Sequence, residues 1–467
     1  MTSTTEIKQK EFVLPRANSP KSDFETLKKL YPSNLELKHL LIVHRHGDRT
    51  PLSPRMPNLF PLKWNLCNSS NKGSSLLLKP SNPDSRLLGS DHENSPLVYH
   101  KVMEGVDGHG KTYNPKPRNS TSHFNTATCS YGQLTDIGRS TLYQHGEALK
   151  RIYVDHLKFV PQNFDQLKQN QVYLRSTDYP RTIDSLHHLL FGFYPNINTN
   201  TITDLIIRSR THKDETMFMD FTCNRLVQLK KEFDLSYRPE LKKEWQTFRE
   251  LLINETSLAD DLKSKEFDHP TAIHKVYDTI SSAYAHGIKL PDGYTEQHHA
   301  KLDELEVKLW FKGFLESKEN VKLGIGRFYQ DINYHLQQAV ENKEQNEAKL
   351  SFFSGHDTTV GPFVIGLGAF DNKWPAYGSI AMVELFEDKQ HKSNQKQIAN
   401  SQENYYVRVK YNDQVLTLPH CAKSGNHHPE LGGTFCKMDA FVKLLHEMSP
   451  KKYYEECKGF KDEISDR

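Results

Sequence analysis

The sequence predicts an α/β fold with its reactive side chains at strand ends, and three strand-to-helix junctions predict it. At the first, the apolar run Leu40-Leu41-Ile42-Val43 ends in His44-Arg45-His46-Gly47-Asp48-Arg49-Thr50-Pro51. At the second, Gln171-Val172-Tyr173-Leu174 runs into Arg175-Ser176-Thr177-Asp178-Tyr179-Pro180-Arg181-Thr182, and a helix follows with Ile183, Leu186, Leu190 and Phe193 turned inward. At the third, the apolar run Leu350 to Phe353 reaches a Ser354-Gly355 turn and then His356-Asp357. Val360, Phe363, Val364 and Leu367 at i, i+3, i+4 and i+7 mark the helix after it, and Gly368 is its expected stop. Open α/β sheets bind ligands outside the C-terminal ends of their strands.

The other elements follow in chain order. Residues 1–34 read as a polar tail or strap, and Leu37 to Val43 as the first strand of a core spanning 35–213. Within it, 54–125 is rich in Ser, Asn, Pro, Gly and His with little periodicity, which suits a functional rim or a disordered insertion. Gly132-Gln133-Leu134-Thr135 leads a helix carrying Ile137, Leu142, Leu149 and Ile152. Residues 214–348 show helical runs and little strand character, among them Leu241 to Leu252 and a run from about His299 with Leu302, Leu305, Val307, Leu309 and Phe314. This segment reads as an inserted helical cap. The core resumes over 349–450, with strands at Ile380 to Phe386 and Tyr405 to Tyr411, a polar linker at Asp388 to Glu403, and a turn at Asn412-Asp413. A last helix spans Met438 to His446, and 451–467 reads as a C-terminal tail. No repeat, zinc spacing or Walker-type loop is visible, and Gly324-Ile325-Gly326 is too little for a nucleotide fingerprint.

Composition excludes some function classes. With 61 basic and 58 acidic residues the net charge is +3, too even to argue for nucleic acid or a membrane surface as partner. No stretch approaches the ~18 apolar residues of a membrane span. The 24 histidines charge at acid pH where they are exposed, making the protein cationic there, although ordinary surface histidines with no selected role account for the number better. Oligomeric state is not legible.

The first junction carries the chemistry. Arg45 and Arg49 are permanently charged forks matching phosphate oxygens. His46 between them suits a nucleophile on phosphorus, with the cations depressing its pKa and keeping it neutral. The plain alternative is a basic turn on the surface. Asp357 at a helix start has its own plain alternative, an N-cap. Asp48 reads as a solvated turn residue.

Together these segments resemble the histidine acid phosphatases, branch 2 of the histidine phosphatase superfamily. Arg45 to Pro51 matches the R-H-G-x-R-T-P box, and His356-Asp357 the distant H-D pair. Arg175 to Thr182 resembles a third signature and Gly132 to Thr135 the family's G-x-L-T segment. Leu367 to Pro375 is similar to the lysophosphatidic acid phosphatase type 6 group. Leu189 to Pro195 and the spacing of Cys421 and Cys436 are similar to the 2-phosphoxylose phosphatase group. The resemblance implies a phosphoglycerate mutase-like three-layer sandwich with a central mixed sheet and a helical cap over the pocket. It implies phosphomonoester hydrolysis at acid pH through a phosphohistidine on His46, with Asp357 as proton donor. Arg45, Arg49, Arg181 and His356 would grip the phosphate. Arg175 then falls to an ion pair with Asp178 or another neighbour. No metal or cofactor is implied. The implied substrate is a phosphorylated small molecule, a lysophospholipid or a phosphosugar. The alternatives are a sugar-phosphate mutase or bisphosphatase, which normally lacks the H-D pair, and a non-catalytic phosphate-binding scaffold.

Six cysteines fit three disulfides or six thiols. Cys421 and Cys436 resemble a short disulfide loop of the family, Cys67 and Cys129 bracket the insertion and suit a staple, and Cys223 and Cys457 are left over. The family mostly works in oxidising compartments, secreted or luminal, yet Met1 to Lys10 has no apolar leader core, which suits a cytoplasmic protein.

Overall fold

The computed structural model describes residues 17, 19–61, 63, 64, 66, 67, 100–104, 110–112, 129–195, 197, 205–341, 349–389 and 402–459. Helix α1 (Phe24–Leu30) precedes strand β1 (Leu35–Arg45), and β2 (His100–Glu104) and β3 (Gly110–Thr112) lie in the long insertion. Then come α2 (Asp136–Lys150), β4 (Val172–Ser176), α3 (Pro180–Phe193) and β5 (Ile206–Ser209). A helical region follows: α4 (Asn224–Glu255), α5 (Ala259–Leu262), α6 (Ala272–Ala285), α7 (Glu296–Glu316), α8 (Lys318–Gly324) and α9 (Gly326–Glu341). The chain returns through β6 (Leu350–Gly355), α10 (Asp357–Gly366), β7 (Ile380–Asp388), β8 (Tyr405–Tyr411), β9 (Gln414–Val415), β10 (His427–His428) and β11 (Gly432–Lys437). It ends in α11 (Met438–Glu447) and α12 (Tyr453–Glu456).

Among the described residues one mixed sheet runs β10-β11-β8-β7-β1-β6-β4-β5-β2-β3, with β9 beside β8. β1, β6 and β4 are parallel neighbours at its centre, and β7 is antiparallel to β1. A central parallel strand is covered on both faces, so it reads as an unbroken apolar run. Leu41 and Val43 face Phe328 of α9 and Phe363 of α10, whereas Leu40 and Ile42 face Leu142 of α2 and Leu186 of α3. Helices on both faces give three layers. Each of these four strand residues is fully buried, and such burial contributes roughly 1.5–3 kcal/mol per side chain.

The helical region has its own core, in which Trp245 of α4, Ile280 of α6 and Leu305 of α7 pack with Met56, Phe60 and Trp64 from the start of the insertion. α7 also belongs to the main core: Val307, Phe311 and Phe314, further along it, join the cluster over the sheet. The helix expected over Leu241 to Leu252 is part of the longer α4, which runs through Pro239.

The described parts of the two terminal segments are packed: residues 17 and 19–34, read as a tail or a strap, and 451–459, read as a tail. In α1, Leu27 is buried, and the Tyr31 hydroxyl donates to Glu384 Oε1 at 2.6 Å. At the other end, α12 leads into Cys457, which is bonded to Cys223 at the start of α4. Cys67–Cys129 and Cys421–Cys436 are also bonded, so the six cysteines form three disulfides. Most of the insertion 54–125 and of the linker Asp388 to Glu403 lies outside the described residues. No helix among the described residues is long and apolar enough to cross a membrane.

Candidate active site

Strand register brings the three junctions together. Arg45 is level with Gly355, and Ser176 with Ser354, so β1, β6 and β4 end on one line. The His46 amide donates to the Gly355 carbonyl at 3.0 Å, and the Thr177 amide to that of Ser354 at 3.1 Å. Gly47 follows because the turn presses against α2: a Cβ there would lie 2.4 Å from the Gly138 carbonyl oxygen. Gly138 meets Asp48 as closely, which explains the two glycines at this crossing.

His46 is 1% exposed, and its Nδ1 lies 2.9 Å from the Gly47 carbonyl. A carbonyl only accepts, so Nδ1 carries the proton and Nε2 keeps a free lone pair, a tautomer assigned from this contact. Burial first, then Arg181, Arg45, Arg49 and His356, hold the imidazole well below its usual pKa. Its neutral form therefore persists further into acid than that of a free imidazole.

The three arginines crowd around this ring. Arg45 stacks on Tyr377, its guanidinium carbon 4.2 Å from the ring centre, and donates to the Pro375 carbonyl. Arg49 is locked by Asp278 of α6 at 2.7 Å, whose other oxygen accepts the Leu52 amide. Arg181 lies over Tyr179 and has no carboxylate partner among the described residues. Burial and the like charge of Arg49 bring its pKa down to about 10, which leaves it charged yet short of an anion. Its Nη2 is 3.5 Å from Nδ1 of His356, and Nε2 of His356 is 2.9 Å from the Thr177 hydroxyl. Burial first, then Arg181, lower the His356 pKa to about 3, so this ring too is neutral.

Asp357 is the first residue of α10, with His356 at the N-cap position. Its Oδ2 lies 2.7 Å from Arg45 Nη2. Burial pushes its carboxyl up, but Arg45, Arg49 and His356 outweigh this and hold it below the usual carboxylate range. All six residues singled out by sequence thus meet: His46, Arg49, Arg181, His356 and Asp357 line one cavity of about 220 Å3, and Arg45 touches it through Asp357.

Arg175 lies away from this cavity, fully buried, with Glu215 at 2.6 Å and Asp331 at 2.7 Å instead of Asp178. Asp48 differs from its reading as a solvated residue: it is 3% exposed and accepts the Thr141 hydroxyl at 2.9 Å, because α2 closes over the turn. Sequence reasoning missed Asp278 and Tyr377. The signal available for Asp278 was a carboxylate among Ile273, Val276 and Ile280 on the inward face of α6.

A second cavity of about 400 Å3 adjoins the first and shares Arg49, His274, Asp357 and Trp374 with it. His46, Arg181 and His356 are not among its walls.

Residues 36–412 match the histidine phosphatase superfamily (branch 2). A probable acid phosphatase of Schizosaccharomyces pombe is 26% identical, over 92% of this chain and 96% of that one. The lysophosphatidic acid phosphatase type 6 of Bos taurus is 23% identical, over 91% and 86%. Among solved structures, the apo form of the Hafnia alvei phytase superposes with a TM-score of 0.57 at 14% identity, covering 91% of this chain and 99% of that one, a likeness of fold. The family match, spanning the centre of the sheet and all three strand-end junctions, establishes that the chain belongs to the histidine phosphatase superfamily, branch 2, and with it to the phosphoric monoester hydrolases.

Proposed function

We propose that the protein hydrolyses phosphomonoesters in two steps through a phosphohistidine on His46. The observation that carries this reading is the unprotonated Nε2 of His46 inside a ring of arginines, one of them without a carboxylate. Arg45, Arg49 and Arg181 hold the equatorial oxygens, where positioned charge does most of the work in phosphoryl transfer. Nε2 attacks phosphorus and forms an N–P bond as the P–O bond to the alcohol breaks. Asp357, protonated in the substrate complex, gives its proton to the departing oxygen. Water then attacks phosphorus and its proton passes to Asp357. The N–P bond breaks, returning Nε2 to its lone pair.

The neutral state of His46 in acid supports an acid working range. His356 has Nδ1 turned to Arg181, which suits holding that arginine as well as contacting phosphate. The larger cavity beyond Asp357 supports a sizeable alcohol, a lysophospholipid or a phosphosugar; the name of the Bos taurus relative favours the lipid.

Rapid acid-free quench of 32P-labelled substrate, followed by alkaline peptide mapping, tests the reading. Label on the His46 peptide that decays on a chase of unlabelled substrate is expected. Turnover of p-nitrophenyl phosphate with no label at any histidine overturns it, and no turnover at any pH leaves a phosphate-binding scaffold.

A further inference from the structure

His274 and Glu306 form a pair that the two-step chemistry does not use. Glu306 on α7 is fully buried, its Oε1 lies 2.5 Å from Nδ1 of His274 on α6, and its Oε2 has no partner among the described residues. No Lys or Arg pairs with it among those residues. Burial holds the Glu306 carboxyl above its usual pKa and Glu306 in turn raises that of His274, so the pair keeps one acidic proton on the line between Oε1 and Nδ1. Whichever partner holds that proton, Nδ1 is engaged with Glu306 and Nε2 carries the ring's other hydrogen as a donor. Nε2 makes no hydrogen bond to the described residues, and His274 lines both cavities.

The position of these cavities decides what Nε2 meets. In an in-line displacement the nucleophile and the leaving oxygen lie on opposite sides of phosphorus. The 400 Å3 cavity includes Asp357 but not His46, which puts it on the leaving-group side. Its walls include Tyr277 and Asp303, hydrogen-bonded to each other at 2.8 Å, and the shared Trp374, whose ring stacks on Phe311 at 4.7 Å. An aromatic face flanked by side chains that exchange hydrogen bonds suits an oxygen-bearing carbon skeleton.

We propose that the His274–Glu306 pair of the cap reads an oxygen on the alcohol beside the ester bond, and so selects phosphomonoesters of hydroxylated alcohols over plain alkyl esters. The proposal rests on the phosphohydrolase reading above and names its substrate class. The groups facing His274 agree with it. Burial pushes its pKa down, but Glu306 of α7 outweighs this, with Asp278 of α6 and Asp357 of α10 adding, so the net shift is upward. The charge of Arg49 nearby is taken by Asp278. Glycerol and sugar skeletons present the same chemistry, and the substrates below separate them.

The test is the ratio of kcat/KM for glycerol 1-phosphate, glucose 6-phosphate and 1-oleoyl lysophosphatidate, each to that for n-butyl phosphate. The double variant His274→Phe/Glu306→Leu removes both charges together, leaving no orphan behind. It is expected to lower the ratio about 10- to 100-fold, the scale of one hydrogen bond from a charged donor. Glu306→Gln keeps the ring and removes its counter-charge. In the wild type the preference is present below the pKa of His274 and fades as pH rises through it; in Glu306→Gln that fading moves to lower pH. A fall for both sugar and lipid supports a general oxygen reader, and a fall for one alone names the source. Equal losses on butyl and hydroxylated esters, or unchanged ratios with folded variants, overturn the proposal. Phosphate label on His46 in the wild type is measured alongside: present with unchanged ratios, it sinks this inference alone; absent, it sinks the mechanism beneath it.

Discussion

Arg45 Nη2 and Asp357 Oδ2 lie 2.7 Å apart, so the guanidinium proposed to grip phosphate is paired, in the free protein, with the carboxyl proposed to donate a proton. The two roles conflict until an anion arrives. Arg45, Arg49 and His356 hold Asp357 below the usual carboxylate range against the effect of burial. A bound dianion takes over the arginines and adds negative charge beside the carboxyl, which reverses the balance and raises its pKa.

Anion binding should therefore take up protons. Sulfate does not titrate near pH 5, so calorimetry of sulfate binding in two buffers of different ionisation enthalpy counts the protein's own protons. About one proton taken up at pH 5, absent in Asp357→Asn, is expected, with affinity rising as pH falls. Zero uptake by the wild type would show that Asp357 stays ionised in the complex.

Asp357→Asn should separate leaving groups. p-Nitrophenol departs without help, so its loss is mild, whereas an alkyl alcohol loses the ~10²–10⁴-fold that general acid catalysis typically provides. His46→Ala should abolish turnover of both and keep the fold, because the ring sits at a strand end. Single-turnover rates on both esters check this; equal slowing by Asp357→Asn would make Asp357 an orienting group.

Asp278→Asn should weaken both site and fold. Asp278 holds Arg49 at 2.7 Å and also accepts the Leu52 amide, tying α6 to the turn after β1. Breaking a buried ion pair from one side costs about 3–5 kcal/mol. A lower denaturation midpoint and a KM for p-nitrophenyl phosphate raised about 10-fold are expected, with part of the loss regained by high concentrations of phosphate ligand. An unchanged KM would mean that Arg49 holds its place without Asp278.

Acid should destabilise the fold through its buried histidines. His335 sits inside the structure with Nδ1 3.2 Å from the Ser351 hydroxyl, which is 3.2 Å from Nε2 of His39. Burial, then His39, lower its pKa to about 3. The unfolded chain binds a proton near pH ~6.5 that the folded one refuses, so stability falls as pH drops from there toward 3, by roughly 1.4 kcal/mol per unit. His335→Phe should keep roughly 2–3 kcal/mol more stability than the wild type on going from pH 7 to 4.5. Urea midpoints at the two pH values measure it; parallel losses would show that His335 charges within the native state.

The sequence by itself determined the sheet centre and the residues at its edge. Leu40 to Val43 and Leu350 to Phe353 are legible because a strand covered on both faces must be apolar throughout, and the glycine turns mark where each ends. His46, His356 and Asp357 are legible because reactive side chains at strand ends follow from the backbone next to them. Only the tertiary structure decided their partners. Asp278 comes from 229 residues beyond Arg49, on a helix whose apolar period hides one carboxylate, and Tyr377 from a turn with no pattern of its own. Arg175 and Arg181, six residues apart, read alike as cations at a strand end; the strand buries one against Glu215 and Asp331, and the helix start turns the other toward His46. Local sequence sets where a strand stops, but which charges meet across the stop depends on long-range packing, and no short-range period records it.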